Sequence, residues 1–376
     1  MAVRSDGDDN ALKCVSLFSG CGGLDLGLAR AGFRIVLAND IEPKCTESHS
    51  RNFAEVPLFL GSISELTQEK ASEISGGATA DVIDLLAGGP PCPPYSKSRF
   101  YRKELPRALE DPVGWESLNG YLRTLKWLKP RAFLLENVAG LAYKVHRDAF
   151  ELVISTANSL GYKTTWRVLN AADFGVPQIR ERLFVVGVRE GEFVWPEPTH
   201  AEQTGDDLFE AVRAPWRTAG DAIGDLDTPT NADDKGHFAG GQYHHLLREI
   251  PPGDNYLFFT EKRGHPDPKF QWRSRYWSFL LKLSPAMPSW TIQARRSNNM
   301  GPFHWRNRIL RISEVKRLQT FPDDWYLSGT VEQQWRQVGN AVPVRLAERL
   351  GNALTQTLSR SNGQPQKRQR AEAVPG

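Results

Sequence analysis

Short apolar runs alternate with helix-spaced segments over residues 13–190, and no other feature of this chain restricts its fold as much. Cys14 to Phe18, Arg34 to Ala38, Asp81 to Ala87, Ala132 to Glu136, Thr164 to Leu169 and Leu183 to Val188 read as strands. Helical spacing falls on Leu24 to Ala31, Pro43 to Phe53 and residues 145–160, where Gly161 stands as a C′ stop. Such alternation predicts an α/β fold, a mostly parallel sheet with helices on both faces. Open sheets of this kind bind ligands at the carboxyl edge of their strands. The residues that end strands are therefore the candidates for function.

The most telling of them is Cys92, in Gly88-Gly89-Pro90-Pro91-Cys92-Pro93-Pro94-Tyr95-Ser96, directly after the run ending at Ala87. A proline-stiffened loop at the sheet edge suits a thiol that must be aimed as a nucleophile. A buried structural cysteine beside a turn fits the same residues. The first strand ends in Phe18-Ser19-Gly20-Cys21-Gly22-Gly23 and feeds a helix, so backbone amides and a helix N-terminus face whatever binds there. Asp40 ends the second strand about twenty residues on, the place of an acid that takes ribose hydroxyls. The glycines fall short of a full dinucleotide fingerprint, so a nucleoside without pyrophosphate fits equally; a tight structural turn is the plain alternative. Glu136 and Asn137 end another strand, where partial burial would raise the Glu136 pKa and let it donate a proton; an edge or capping acid is the competing reading. Gln178, Arg180 and Arg182 alternate before Leu183, sharing one face of an extended segment, as fixed donors or as an ordinary charged face. Asn340 is expected at the entrance of the last helix, as an N-cap.

The pattern breaks near Trp195. Residues 195–310 are rich in Pro, Gly, Asp, Trp and Arg, which predicts a second, loop-rich domain; helical spacing returns at Ile312 to Phe321 and Val344 to Leu358. Charge is uneven: residues 201–260 carry 4 Lys+Arg against 11 Asp+Glu, and residues 261–311 carry 11 against 2. The basic stretch is interleaved with Phe270, Trp272, Tyr276, Trp277, Trp290, Phe303 and Trp305, which suits nucleic acid or, equally, a solvated basic face over an aromatic core. The four cysteines lack metal-site spacing, so no metal is expected. No run approaches the ~18 apolar residues of a membrane span, and Met1 to Asn10 shows no signal-like apolar stretch, so a cytoplasmic protein is expected.

Taken in order, these segments resemble the cytosine-5 DNA methyltransferase family, over about residues 13–358. FSGCGG resembles its cofactor loop, GGPPCPPYS its nucleophile loop and ENV its acid motif. QIRER resembles its arginine motif, with RLQTFPDDW and GNAVP as its last two. The resemblance implies the Rossmann-like class I methyltransferase sheet and S-adenosylmethionine as methyl donor. Cys92 would attack C6 of a cytosine flipped out of duplex DNA, Glu136 would act at N3, and Arg182 with Arg180 would hold the base. Phe18, Gly20, Gly22, Gly23, Asp40, Ile41, Ile63, Pro90, Asn340 and Val342 would line the cofactor. Ser96, Gln178, Arg273, Arg275, Arg295 and Arg296 would meet DNA.

The implied organisation is a flexible 1–12, a catalytic and cofactor domain at 13–194, a target-recognition domain at 195–310, a return at 311–360 and a disordered basic tail at 361–376. The compact form resembles the bacterial restriction-modification type, which implies a monomer on duplex DNA, with no obligate protein partner and a cognate endonuclease as a functional rather than physical one. Three positions depart from the family pattern: Pro93 replaces the usual Gln, Ser62 stands where the third motif has Asp, and Asp40 replaces Glu. A transfer-RNA substrate is the second reading, disfavoured by Ser96 and by Ala139-Gly140-Leu141 after ENV. A DNA-binding protein without catalysis is the third, disfavoured by intact Cys92, Glu136 and Arg182.

Overall fold

The computed structural model describes residues 11–91, 108–203, 213–229, 237, 239–273 and 276–362. Cys92, Ser96, Arg275, most of the N-terminal segment and the basic tail lie outside them. The first half runs β1 (Leu12–Leu17), α1 (Gly23–Arg30), β2 (Phe33–Asp40), α2 (Pro43–Asn52), β3 (Leu58–Leu60), α3 (Gln68–Ile74), β4 (Leu85–Gly88), α4 (Pro112–Leu128), β5 (Ala132–Val138), α5 (Arg147–Ser159), β6 (Lys163–Asn170), β7 (Gln178–Ile179) and β8 (Glu181–Val188). The main sheet has the order β3-β2-β1-β4-β5-β8-β6. Its strands are parallel except β8, which runs antiparallel to both neighbours. Reversal of β8 brings its first residues, and not its last, to the edge where β1, β2, β4 and β5 end.

The strands read as unbroken apolar runs because both faces are covered. Successive residues alternate between two cores. Cys14, Leu85, Leu134 and Phe184 pack with Leu24 and Leu28 of α1 and Leu346 and Leu350 farther along the chain. Val15, Leu86, Leu135 and Val185 pack with Leu118, Tyr121 and Leu125 of α4 and Val153 of α5. Helix α4 has no counterpart in the expected elements, although its signals are plain. Asp111 accepts hydrogen bonds from the Val113 and Gly114 amides, Pro112 opens the first turn, and Leu118, Tyr121, Leu122 and Leu125 form one buried face.

Beyond Trp195 the described residues hold only short pieces: β9 (His200–Ala201), β10 (Ala214–Pro215), α6 (Ala219–Ile223), β11 (Ser289–Trp290) and 3₁₀ turns. Helices α7 (Ile312–Leu318), α8 (Val331–Asn340) and α9 (Val344–Asn362) follow. A third core joins Ile223, Leu247, Phe259, Leu283 and Phe303 to Val315 and Leu318 of α7 and Trp335 and Val338 of α8. Much of the aromatic stretch thus lies inside, with Phe270, Tyr243, Tyr256 and Phe279 in edge-to-face contact, while Trp272, Tyr276 and Trp277 remain exposed. This core reaches the sheet layer through Leu26 of α1 and Cys21 of the loop before it, and α9 lies along α1. Gly27 permits the approach, since a Cβ there would stand 2.4 Å from the Ala347 Cβ. Asn340 is the last residue of α8 and not the cap of the final helix, because Thr330 caps α8 ten residues earlier through a box with Gln333. No helix among the described residues is long and apolar enough to cross a membrane.

Candidate active site

The loop after β1 is shaped by backbone that turns left-handed at Phe18 (φ 56°), Gly20 (φ 56°) and Gly22 (φ 88°). Asp40, at the end of β2, accepts hydrogen bonds from the Gly20 amide on one carboxylate oxygen and the Glu42 amide on the other, both at 2.8 Å. One acid so holds the two loops side by side, and each of its oxygens keeps a lone pair beyond these two bonds. Burial pushes the Asp40 carboxyl above its ordinary value, against the pull of those amides. Beneath the loop, Asp25 of α1 accepts from Ser16 and lies 2.7 Å from the ring of His49 on α2, all three buried.

The glycines divide into two kinds. A side chain on Gly20 would meet nothing within 4 Å, so space is open above it. A Cβ on Gly22 would stand 2.8 Å from the Phe53 ring, and one on Gly23 would stand 2.6 Å from the Val342 carbonyl oxygen. Gly22 and Gly23 thus serve close packing, and Val342 backs onto the loop from behind. Gly22→Ala is expected to cost about 1–3 kcal/mol of stability from overpacking, in addition to the left-handed backbone cost it shares with Gly20→Ala. Urea unfolding of the two variants checks this; equal losses would contradict it. Ile41 is 65% exposed beside Asp40, whereas Ile63 is buried against Gly120 of α4. Asn340 is exposed at the end of α8. Ser62 has a carboxylate neighbour that sequence reading missed: Glu116 of α4 accepts from the Ser62 and Ser64 hydroxyls. Its only sequence signal is its place on the α4 face, four residues after Pro112.

The second group lies where β4 and β5 end and β8 begins. Glu136 is opposite Phe184, and Arg182 is opposite Val138, so the two side chains are diagonal neighbours on one face. Arg182 Nε lies 3.0 Å from Glu136 Oε1. Burial raises the Glu136 carboxyl above its ordinary value, and Arg182 and then Arg180 pull it back only partly. Gly89 passes directly over this carboxyl; a Cβ there would be 2.8 Å from Glu136 Oε2. The next residue is tied down as well, because the Asn137 side-chain amide donates to the Pro90 carbonyl at 3.1 Å. Pro90 is buried, and the described chain stops at Pro91.

Gln178 and Arg180 do something other than expected. Gln178 is fully buried, donating to the Leu318 carbonyl of α7 and accepting from the Ile292 amide, so it offers nothing to DNA. Arg180, 1% exposed, donates to the carbonyls of Ile292, Gly339 and Ala341 at 2.8–3.1 Å. The strand break between β7 and β8 turns these two residues inward, where they staple α7, α8 and the β11 segment to the sheet edge. Arg182 alone of the three faces the acid. Among the expected DNA contacts, Arg273 and Arg295 are exposed, and Arg296 pairs with Glu332 at 3.2 Å.

The arrangement has relatives. The family model for C-5 cytosine-specific DNA methylase matches residues 12–356. The chain is similar to the Type II methyltransferase M.SacI of Streptomyces achromogenes, 38% identical over 93% of this chain and 94% of that one. It is also similar to the Type II methyltransferase M.NgoFVII of Neisseria gonorrhoeae, 34% identical over 89% of this chain and 84% of that one. Its fold is similar to the crystal structure of a DNA modification methyltransferase encoded within an E. coli prophage, with a TM-score of 0.64, 23% identity and coverage of 93% of this chain and 100% of that one. The Gly loop held by Asp40 and the buried acid held by Arg182 thus sit in a chain that belongs to the C-5 cytosine-specific DNA methylase family, a DNA cytosine-5-methyltransferase.

Proposed function

We propose that this enzyme is a sequence-specific methyltransferase of the Type II restriction-modification kind, acting on C5 of a cytosine flipped out of duplex DNA. The observation that carries the reading is the raised, Arg182-held carboxyl of Glu136 directly beneath Gly89 and Pro90, two residues ahead of Cys92. Burial pushes the thiols of Cys14, Cys21 and Cys45 up, Cys21 to about 12, so none of these offers a thiolate near neutrality. Cys92 is the thiol left for nucleophilic work.

In this reading the Cys92 thiolate forms a bond to C6, and the displaced electron pair is drawn toward N3, where Glu136 hydrogen-bonds or delivers a proton. Arg182 holds Glu136 in place and donates to the cytosine O2. S-adenosylmethionine, when bound, supplies an electrophilic methyl group for C5. Loss of the C5 proton to a base and re-expulsion of the Cys92 thiolate then restore the ring. The open space over Gly20 and the remaining acceptor sites of Asp40 fit a ribose-bearing cofactor, with Phe18, Ile41, Pro90 and Asn340 around it. Residues 13–194 would carry this chemistry and 195–310 the readout of DNA sequence, with Arg273 and Arg295 as donors to phosphates or guanine. A monomer in the cytoplasm, protecting host DNA from a cognate endonuclease, completes the reading.

The test incubates the protein with methyl-labelled S-adenosylmethionine and either duplex DNA or transfer RNA, beside Cys92→Ser. Label is expected in DNA only, and none with the variant. Duplex with 5-fluorocytosine at the target should trap a covalent adduct, since fluorine cannot leave as a proton. Label in RNA and not DNA, or an adduct formed by Cys92→Ser, would overturn the reading.

A further inference from the structure

A cavity of about 520 Å³ opens where α1, α6, α7 and α9 meet, and it shares no lining residue with the cofactor loop or the Glu136–Arg182 pair. Five arginines line it: Arg30, Arg217, Arg317, Arg345 and Arg349, with Glu348 as the one carboxylate. Two of the five are neutralised. Arg317 pairs with Asp225 and Asp323, and Arg30 lies 3.9 Å from Glu348. The side chains of Arg217, Arg345 and Arg349 have no ion pair or hydrogen bond among the described residues, although each is partly withdrawn from water.

The three stand close together. Arg345 and Arg349 are one turn apart on α9, a like-charge spacing that weakens a helix. The Arg345 guanidinium is pushed below its ordinary pKa by partial burial and then by Arg217 and Arg349, with Glu348 opposing. Burial, and after it the same three charges, lower the pKa of His200 of β9. Self-repelling guanidiniums around an open void are destabilising in the free chain. An oxyanion entering the void would relieve that repulsion and accept the paired N–H donors that a guanidinium presents. The volume exceeds what one phosphate needs and accommodates two or three linked phosphoryl groups.

We propose that Arg217, Arg345 and Arg349 form a phosphate-binding site separate from the base and cofactor site. Its phosphoryl groups come either from a DNA backbone, a source that rests on the proposed function, or from a free polyphosphate, which does not. The test uses the full chain, inorganic tripolyphosphate and the double variant Arg345→Gln, Arg349→Gln. At a hundredfold excess over Kd, tripolyphosphate is expected to raise the parent Tm by about 3 °C at low salt. The variant should lose that response, and without ligand it should melt at or above the parent temperature because its repulsion is gone. Should the double variant fail to fold, Arg217→Gln carries the same test.

Salt titration of duplex binding distinguishes the sources. A log–log salt slope that falls by about 2 in the double variant assigns the site to DNA phosphates. An unchanged slope with the tripolyphosphate response lost assigns it to a free anion. A variant that matches its parent in both measurements overturns the proposal. Failure of the DNA reading would leave the tripolyphosphate shift in place, so the two outcomes are separable.

Discussion

Glu136→Gln is expected to lower the rate of methyl transfer by about 10²–10⁴-fold, the usual contribution of a positioned proton donor. The substitution keeps the shape and a hydrogen-bond acceptor for Arg182, and a Gln amide can still donate to N3, but it cannot release a proton there. Single-turnover transfer to a duplex isolates the step. The pH profile carries further information. Burial holds the native carboxyl above its ordinary 4.5, so the protonated form persists to higher pH than in the unfolded chain. The parent rate should therefore fall as pH rises through that raised value, and the variant should lose this limb.

Stability follows the same sign. The carboxyl contributes fully below pH 4.5 and loses that contribution as pH rises through the native value. Relative to the variant, the parent should become less stable across that window. A variant with parental rate and parental pH profile would exclude Glu136 from the chemistry.

Arg180→Met should act through the fold. The guanidinium is the donor to three buried carbonyls, those of Ile292, Gly339 and Ala341. Met fills the volume and removes the buried charge, but leaves those carbonyls without this donor. At about 1–3 kcal/mol per unsatisfied group, offset by the desolvation no longer required, a net loss of about 3 kcal/mol is expected. Arg180→Lys should recover little, since one ammonium cannot span three acceptors as a planar fork does. Urea unfolding at constant m reads this directly. The residual folded protein should still transfer methyl groups at low temperature. If Arg180 instead contacted the base, Arg180→Met would lose turnover while its unfolding midpoint stayed at the parental value.

Several features were legible without coordinates because they are properties of a pleated strand and its ends. Leu85-Leu86-Ala87 and Phe133-Leu134-Leu135 announce a sheet covered on both faces, and Gly-rich or Gly-Pro turns after such runs mark its working edge. Asp40 and Glu136 follow from the same logic, since Asp40 ends its strand and Glu136 stands two residues before the end of its own. Helix α4 is legible too, through the Asp111-Pro112 start and the Leu118 to Leu125 face. The reversal of β8 was not: Glu181 to Val188 has the same apolar character whichever way it runs, and only pairing with β5 and β6 settles its direction.

The α/β class, the edge at which chemistry would gather and the candidate acid and cofactor loop are written locally in the chain, because strand periodicity and turn chemistry act over a few residues. What Gln178 and Arg180 do depends instead on long-range packing. Their partners lie far along the chain, Gly339 being 159 residues from Arg180, and spacing carries no information at that range. The arginine cavity has the same origin. Arg30, Arg217, Arg345 and Arg349 look like solvated surface charges when read singly, and packing alone brings them around one space.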